Sequence, residues 1–287
     1  MSLVVQHERG KSEMLASIIM RLRPLEEARL GKTPGRSLHA LFLELVREAD
    51  EEIAARLHAS TALKPFTVSP LRGKLAWRDE RPLVSPEESY RVRFTTLSEE
   101  ALAPFNYSVM GHYICKRPLT LDGVPFVIED VLLTPEGSQG WARLSTYEVL
   151  YQEAGDERSI TLGFFSPTTF RTGDVNLLFP LPVSVFGSLY RKWQAFSGIA
   201  LDEGLMDFVE EHVVEERYRL ATRVVKYGPQ YQLNGFVGRC GYRILGGDRR
   251  RVRELNLLAD FALFAGVGQK TTMGMGQCRR VGGCAPD

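Results

Sequence analysis

The sequence has few cysteines, no excess of charge of either sign and no long apolar segment. Its 287 residues include only 4 cysteines, none in a Cys-x-x-Cys pair: Cys115, Cys240, Cys278 and Cys284. These positions offer neither a zinc motif nor a disulfide framework, so we expect a reducing, cytoplasmic setting and no bound metal. The longest uncharged stretch, 175–190, is interrupted by Pro180 and Pro182, so we expect no membrane span.

The near-zero net charge excludes a uniformly basic nucleic-acid coat protein. Lys and Arg total 36 and Asp and Glu total 35, which leaves a net charge of +1. The charges are unevenly distributed, because acidic stretches at 48–52 and 210–216 oppose an arginine-rich C-terminal region. We therefore expect a polyanion to bind along one face of the protein rather than over its whole surface.

Hydrophobic periodicity divides the first half of the chain into strands and helices. Apolar residues alternate at 14–23 and 90–95, as expected of half-buried strands. Between them, apolar residues at steps of three and four predict one amphipathic helix over 38–57. The other predicted elements are a strand pair at 66–71 and 74–77, a short helix at 98–102, and strands at 109–115 and 124–133. This series has one strand more after each helix than the ferredoxin-like order requires, and we read it as that order, β-α-β-β-α-β.

The second half repeats this order of elements without repeating the sequence. Its predicted elements are a strand at 160–165, a helix at 183–196, a strand pair at 214–225 and 236–244, a helix at 252–265 and a closing strand at 275–281. Turn residues cluster between 134 and 155. We therefore predict an α+β protein with tandem ferredoxin-like (RRM-like) domains, at residues 1–145 and 146–287.

A glycine-rich segment, GVGQKTTMGMG, follows the last predicted helix at 266–276. Glycine permits positive φ angles and close backbone approach, so this loop could present amide groups and a lysine ammonium to a phosphate. An ordinary helix cap and turn without a ligand is the alternative. The candidate RNA-binding residues of the segment are Gly266, Gly268, Gln269, Lys270, Thr271, Thr272, Gly274 and Gly276.

Spacing excludes a Walker-type nucleotide-binding loop. That motif needs a glycine six residues before its lysine and another immediately before it, but Phe264 and Gln269 occupy these positions relative to Lys270. A Walker loop also follows a strand, whereas this segment follows a predicted helix. We therefore do not expect an NTPase.

Clustered arginines precede the same predicted helix: Arg249, Arg250, Arg251 and Arg253. Cations at a helix N-terminus oppose the helix dipole by about 0.3–1 kcal/mol each, so helix stability does not account for them. We predict that they contact a polyanion, and an alternating basic face on the strand at 214–225 points the same way.

His58 is distinguished among the five histidines by its position at the end of the first predicted helix, opposite its apolar stripe. Lys64 follows six residues later. A histidine can act as a general acid or base near neutral pH, and a lysine can stabilise negative charge on a phosphorane. The pair therefore suits RNA cleavage without a metal, although a plain surface histidine is the alternative.

Several motifs give the chain a family resemblance. Leu57-His58, the segment KPFTVS at 64–69, SPTTF at 166–170, GFVG at 235–238 and the glycine-rich terminus resemble a CRISPR-associated repeat-RNA endoribonuclease. This is the sixth Cas family, within the RAMP superfamily. The resemblance implies tandem ferredoxin-like domains and cleavage of the CRISPR repeat transcript without a metal or other cofactor. The products would carry 5′-hydroxyl and 2′,3′-cyclic phosphate ends.

The resemblance also implies roles for individual residues. His58 matches the general acid–base histidine and Lys64 the charge-stabilising lysine. Some members carry a catalytic tyrosine fifteen residues before the histidine, and here that position is Leu43. His39 is the nearest candidate to replace it. The implied partners are the repeat RNA and a CRISPR effector complex that receives the guide RNA, with no membrane and with the enzyme as a monomer or homodimer.

Two other functions remain open from the sequence. A RAMP subunit that binds RNA without cutting it would share the fold and the basic residues, and the departure at Leu43 keeps this alternative open. A small-molecule enzyme on the same scaffold lacks any supporting pocket motif, and fold alone would not establish function.

Overall fold

The two largest β-sheets of the protein follow the two halves of the chain. The structure is a computed structural model that describes residues 13–59, 63–79, 81–227 and 231–282. Cys284, one of the four cysteines in the sequence, lies outside these residues. Within the described part of the chain, no helix combines the length and apolarity that a bilayer crossing requires.

The first sheet has the predicted ferredoxin-like arrangement. The elements of this half are β1 (Met14–Pro24), β2 (Ala28–Arg29), α1 (Pro34–Ala49), α2 (Glu51–Ala59), β3 (Phe66–Val68), β4 (Ala76–Arg78), β5 (Arg81–Val84), β6 (Tyr90–Thr96), α3 (Glu99–Cys115), β7 (Leu119–Leu121) and β8 (Val124–Leu132). The strand order is β3-β6-β1-β8-β7, with antiparallel pairing. Helices α1 and α3 pack on one face, because apolar side chains alternate along the strands.

The second sheet repeats the arrangement. Its half contains β9 (Arg143–Thr146), α4 (Tyr147–Glu153), β10 (Ser159–Thr168), β11 (Phe170–Thr172), β12 (Val175–Leu177), α5 (Pro182–Phe196), α6 (Leu205–His212), β13 (Val213–Lys226), β14 (Gln232–Ile244), α7 (Arg249–Ala265), a 3₁₀ turn (Thr271–Met273) and β15 (Cys278–Arg280). The strand order β13-β14-β10-β15 is the same permutation as in the first sheet. The predicted α+β class with tandem ferredoxin-like folds is therefore confirmed.

The long helix predicted over 38–57 is two helices. The break falls at Asp50, whose backbone is extended at φ −154°. The carboxylate of Asp50 accepts a hydrogen bond of 2.8 Å from the amide of Ile53 and so begins α2. The apolar spacing continues across the break, and for that reason periodicity alone predicted a single helix.

Two strand predictions in the first half were wrong. Residues 109–115 form the second part of α3, because buried positions such as Ala101, Phe105 and Val109 recur at helical spacing. Strands β3 and β4 do not pair with each other. Strand β3 lies in the first sheet, whereas β4 belongs to a small sheet ordered β2-β5-β4.

The core consists of two main hydrophobic clusters, one for each half of the chain, and the first half also contributes to the second cluster. Leu15 and Leu97, from the first half, belong to the cluster of the second half together with Tyr147. Strand β9 pairs with β1 and so extends the first sheet. The division at residues 145 and 146 stays a prediction.

Candidate active site at the glycine-rich segment

The glycine-rich segment lies in the seam between the two halves. Its glycines have positive φ angles: Gly266 at 59°, Gly268 at 80°, Gly274 at 92° and Gly276 at 69°. A Cβ atom on Gly276 would lie 2.1 Å from the carbonyl oxygen of Val267, and the φ angle is one that L side chains rarely adopt. The close backbone packing of the segment therefore requires glycine.

Most amide groups of this segment donate to protein acceptors. Gly268 N–H donates to Ser188 Oγ at 3.0 Å and Gln269 N–H to the carbonyl of Thr169 at 3.0 Å. The amide of Met275 donates to the carbonyl oxygen of Lys270 at 3.3 Å. The amides of Thr271 and Thr272 open the 3₁₀ turn and have no acceptor within it, so they are suited to a phosphate. Phosphate binding by this segment stays a prediction, and the amides expected to bind the phosphate are those of the 3₁₀ turn.

A buried lysine that the sequence analysis missed holds the segment in place. Lys192 Nζ donates to the carbonyl oxygens of Ala265 at 2.5 Å and Gly266 at 3.3 Å, and to Thr271 Oγ1 at 3.4 Å. Burial lowers the pKa of Lys192 to about 7. The one signal in the sequence is a lysine within the apolar stripe of α5, three residues after Leu189.

Replacing Lys192 by methionine should lower the free energy of unfolding by about 1–3 kcal/mol, because the carbonyl groups that it satisfies would be left buried without a donor. Urea denaturation of the full chain measures this difference. The matched control is Arg191→Met on the exposed side of α5, which should change stability by less than about 0.5 kcal/mol. Equal effects of the two substitutions would contradict the role given to Lys192.

His39 connects α1 to the glycine-rich segment. Its Nδ1 lies 3.2 Å from the carbonyl oxygen of Thr272. A carbonyl only accepts, so Nδ1 carries the proton and the neutral ring has an unprotonated Nε2. The ring also packs on Phe66, with 5.4 Å between centroids. Gly35 brings the start of α1 against the segment, since a Cβ atom there would be 2.2 Å from Met273 O.

The electrostatic surroundings of His39 favour its neutral form. Burial is the main cause that lowers its pKa below the ordinary value, and the hydrogen bond to Thr272 opposes this effect. The charges of Lys64, His58 and Lys270 lower the pKa further. Lys270 belongs to the glycine-rich segment, whereas His58 and Lys64 lie at and just after the end of α2, so charges from two distant parts of the chain act on the His39 ring.

His58 and Lys64 are joined through the end of α2. Lys64 Nζ donates to the carbonyl oxygens of Leu57 at 2.5 Å and His58 at 3.1 Å. Partial burial lowers the pKa of Lys64. The side chain of His58 is exposed, as expected from its position opposite the apolar stripe. Leu43 lies one helical turn after His39 on α1 and packs partly against the first core.

The arginine run has intramolecular partners for every member. Arg249 pairs with Asp156 at 3.1 Å, and Arg251 pairs with Asp202 at 3.1 Å. The remaining contacts are Arg250 with Glu254, and Arg253 with the carbonyl oxygens of Gln152 and Ala154. Asp248 caps α7 by accepting from its first amides. These arginines therefore have structural partners that the sequence did not reveal, and their contact with RNA stays a prediction.

The long hairpin of β13 and β14 presents the other basic residues. Arg217, Arg219, Arg223 and Lys226 are exposed on β13, the edge strand of the second sheet. Tyr218 lies among them and is 61% exposed. Basic and aromatic side chains on one exposed strand are typical of a nucleic-acid surface. Within the described residues, no group of three or more His, Cys, Asp or Glu side chains could hold a metal ion.

The paired ferredoxin-like halves, with the glycine-rich segment between them, define a RAMP-type protein. Two family models match the chain: the CRISPR Cas6 N-terminal domain over residues 14–152, and the CRISPR-associated endoribonuclease Cas6 over residues 162–278. The two matches together account for most of both halves. The chain belongs to the Cas6 family of CRISPR-associated endoribonucleases.

Individual relatives agree with this assignment. A Cas6 endoribonuclease of Mycobacterium tuberculosis is 24% identical over 280 residues, which cover 95% of this chain and 80% of that protein. One from Streptococcus thermophilus is 25% identical over 148 residues, 47% of this chain and 60% of that protein. The product complex of Thermus thermophilus Cas6 (TTHB231) has a TM-score of 0.80 at 28% identity and covers 94% of this chain and 100% of that one.

Proposed function

We propose that this protein cuts CRISPR precursor RNA within its repeats, by a general acid–base reaction that needs no metal. The observation that carries the proposal is the half-buried His39, whose Nδ1 is held by the glycine-rich segment and whose pKa is lowered by the charges of Lys64, His58 and Lys270. Membership of the Cas6 family supports RNA as the substrate. The binding of a cleavage product by the Thermus thermophilus relative supports recognition of the repeat.

In the proposed reaction His39 is the general base. Its unprotonated Nε2 takes the proton from a ribose 2′-hydroxyl, and the resulting oxygen attacks the adjacent phosphorus. The bond from phosphorus to the 5′-oxygen of the next nucleotide breaks, and that oxygen leaves with a proton. The products are a 2′,3′-cyclic phosphate and a 5′-hydroxyl, and water is not consumed.

Lys64, Lys270 and His58 have the other catalytic roles in the proposed reaction. Lys64 and Lys270 stabilise the extra negative charge on the phosphorane, since an oriented ammonium group acts strongly in a partly dehydrated site. His58 donates the proton to the leaving 5′-oxygen. Because His58 is exposed, water can replace it in part, so we assign the larger share of the rate to His39.

The RNA would be held along one face. The exposed basic residues of β13 would contact its phosphates, while the turn at Thr271 would meet the phosphate to be cut. The guide RNA would pass to a CRISPR effector complex. We place the reaction in the cytoplasm, because the described cysteines, Cys115, Cys240 and Cys278, are free thiols, as a reducing compartment would keep them.

Incubation of the cognate repeat RNA with the protein in excess EDTA tests the proposal. We expect one cut per repeat at the same rate as with Mg²⁺. Phosphatase should remove the terminal phosphate of the upstream product only after the cyclic phosphate has been opened. Cleavage that requires Mg²⁺ would overturn the metal-free mechanism. Tight, salt-sensitive binding with no cut product would instead identify a non-catalytic RNA-binding subunit.

A further inference from the structure

A buried tyrosine ends the first strand of the long hairpin. Strand β13 is exposed along most of its length, but Tyr227, directly after its last residue, is only 2% exposed. The amide of Tyr227 donates to the carbonyl oxygen of Tyr231 at 2.8 Å, and this bond holds the end of β13 beside the start of β14. Burial at the end of an exposed strand requires packing partners from elsewhere in the chain.

Those partners come from the glycine-rich segment. Tyr227 and Leu233 of the hairpin form a small hydrophobic cluster with the buried Met275, and Val225 and Met273 pack partly against it. The hydroxyl group of Tyr227 donates to the carbonyl oxygen of Met273 at 3.3 Å. Met273 is the last residue of the 3₁₀ turn. The hairpin is therefore attached to the end of the turn by apolar contacts and by a hydrogen bond.

The carbonyl group of Met273 is held from a second side by the start of α1. A Cβ atom on Gly35 would lie 2.2 Å from the same oxygen, so the helix backbone packs directly against it. Burial raises the pKa of Tyr227 above its ordinary value, and its hydroxyl group therefore stays protonated near neutral pH. A protonated phenol can donate to a carbonyl group, which only accepts.

The peptide group just before this carbonyl holds His39. The amide of Met273 donates to the carbonyl oxygen of Lys270 at 2.9 Å. The carbonyl of Thr272 belongs to the same peptide group and lies 3.2 Å from Nδ1 of His39. Because a peptide group is planar and rigid, a displacement of Met273 moves the Thr272 carbonyl with it. The contacts of Met273 therefore affect the direction of the His39 ring.

We propose that Tyr227 is a positioning residue for the general base. Its hydroxyl group fixes Met273 and, through the 3₁₀ turn, keeps the unprotonated Nε2 of His39 directed at the ribose 2′-hydroxyl. The use of the aligned ring in cleavage rests on the proposed function, whereas the alignment itself does not. Arg223 and Lys226 would contact RNA phosphates from the same strand, so the hairpin joins the RNA-binding strand to the turn that orients the base.

The variant Tyr227→Phe removes the hydroxyl group and keeps the ring. The single-turnover rate at saturating repeat RNA should fall by about 3–10-fold, the effect of losing one hydrogen bond, while the Kd for the RNA stays unchanged. The matched control is Tyr231→Phe, which removes a hydroxyl group from the neighbouring ring of the same hairpin. That ring is 44% exposed, and its centroid lies 6.0 Å from that of Tyr227. The control should cleave at the wild-type rate.

The titration of the His39 ring, followed by NMR in the protein without RNA, measures the alignment independently of cleavage. The hydrogen bond to Thr272 raises the pKa of His39, and burial lowers it. Tyr227→Phe weakens this hydrogen bond, so it should shift the titration midpoint of His39 to lower pH. Tyr231→Phe should leave the midpoint unchanged. A loss of overall stability alone would not move this midpoint in the folded protein.

The rate and the titration together decide the outcome. An unchanged rate and an unchanged His39 midpoint in Tyr227→Phe would overturn the positioning role and leave the proposed function intact. A lower rate with an unchanged midpoint would also overturn it, since the hydroxyl group would then act by another route. A shifted midpoint in a protein that does not cut RNA would support the positioning role and contradict the proposed function.

Discussion

Replacing His39 by alanine should reduce the single-turnover rate of repeat cleavage by about 10²–10⁴-fold while leaving repeat binding nearly unchanged. The imidazole is the one group of the site whose orientation is fixed by both a hydrogen bond to Thr272 and a ring contact with Phe66. Its loss removes the proposed base for the 2′-hydroxyl. Gel-resolved cleavage of labelled repeat RNA, together with a binding titration, measures both quantities.

Two further histidine variants are compared with His39→Ala. His58→Ala should retain more activity than His39→Ala, because an exposed proton donor can be replaced by water. His212→Ala, at the end of α6 in the second half, should cleave at the wild-type rate. Full activity of His39→Ala, or a greater loss in His58→Ala than in His39→Ala, would contradict the roles given to the two residues.

The pH dependence of cleavage gives an independent check on His39. A general base works only when it is unprotonated, so its activity falls as the pH drops through its pKa. Burial and the neighbouring cations place that pKa below the ordinary value of 6.5. The acid limb of the rate profile should therefore have its midpoint below pH 6.5. A midpoint above that value would indicate a different base.

Replacing Gly35 by alanine should lower the cleavage rate by about 10²-fold, the second-largest effect that we expect. The new Cβ atom would lie 2.2 Å from the carbonyl oxygen of Met273, which is a backbone atom and cannot rotate away. Helix α1 and the 3₁₀ turn would have to separate. His39 would then lose its alignment with Thr272, although neither residue is changed.

Gly111→Ala is the matched control for this variant. Gly111 lies in α3, where an added Cβ atom meets nothing within 4 Å. Alanine at that helical position should stabilise the protein by about 0.5–1 kcal/mol and leave cleavage unchanged. Circular dichroism of both variants tests whether they fold. Wild-type cleavage by Gly35→Ala would show that the contact between α1 and the turn does not position the base.

Much of the fold was predictable because hydrophobic periodicity is a local property. The alternating pattern of β1 and β6 and the helical pattern of α7 are written in neighbouring residues, and they were assigned correctly apart from their ends. The break at Asp50 was missed because the apolar spacing of α1 continues into α2. The second part of α3 was missed because β-branched and aromatic residues there have high strand propensity.

The candidate site was only partly predictable, because its parts are distant along the chain. The resemblance to the repeat-RNA endoribonucleases singled out His58, Lys64 and the glycine-rich segment. The position of His39 against Thr272 joins residues 233 apart. Lys192 had no signal beyond its place in an apolar stripe, since its acceptors lie 73 residues or more away.

The sequence by itself determined the tandem ferredoxin-like class and the family, since these depend on local periodicity and on short motifs. The tertiary structure alone decided which charges are neutralised. Arg249 and Arg279 are the same type of residue. Arg249 pairs with Asp156, whereas Arg279 lies over Trp141 with no described carboxylate partner. The reason is that electrostatic energy depends on distance and burial, which chain folding sets independently of separation in sequence.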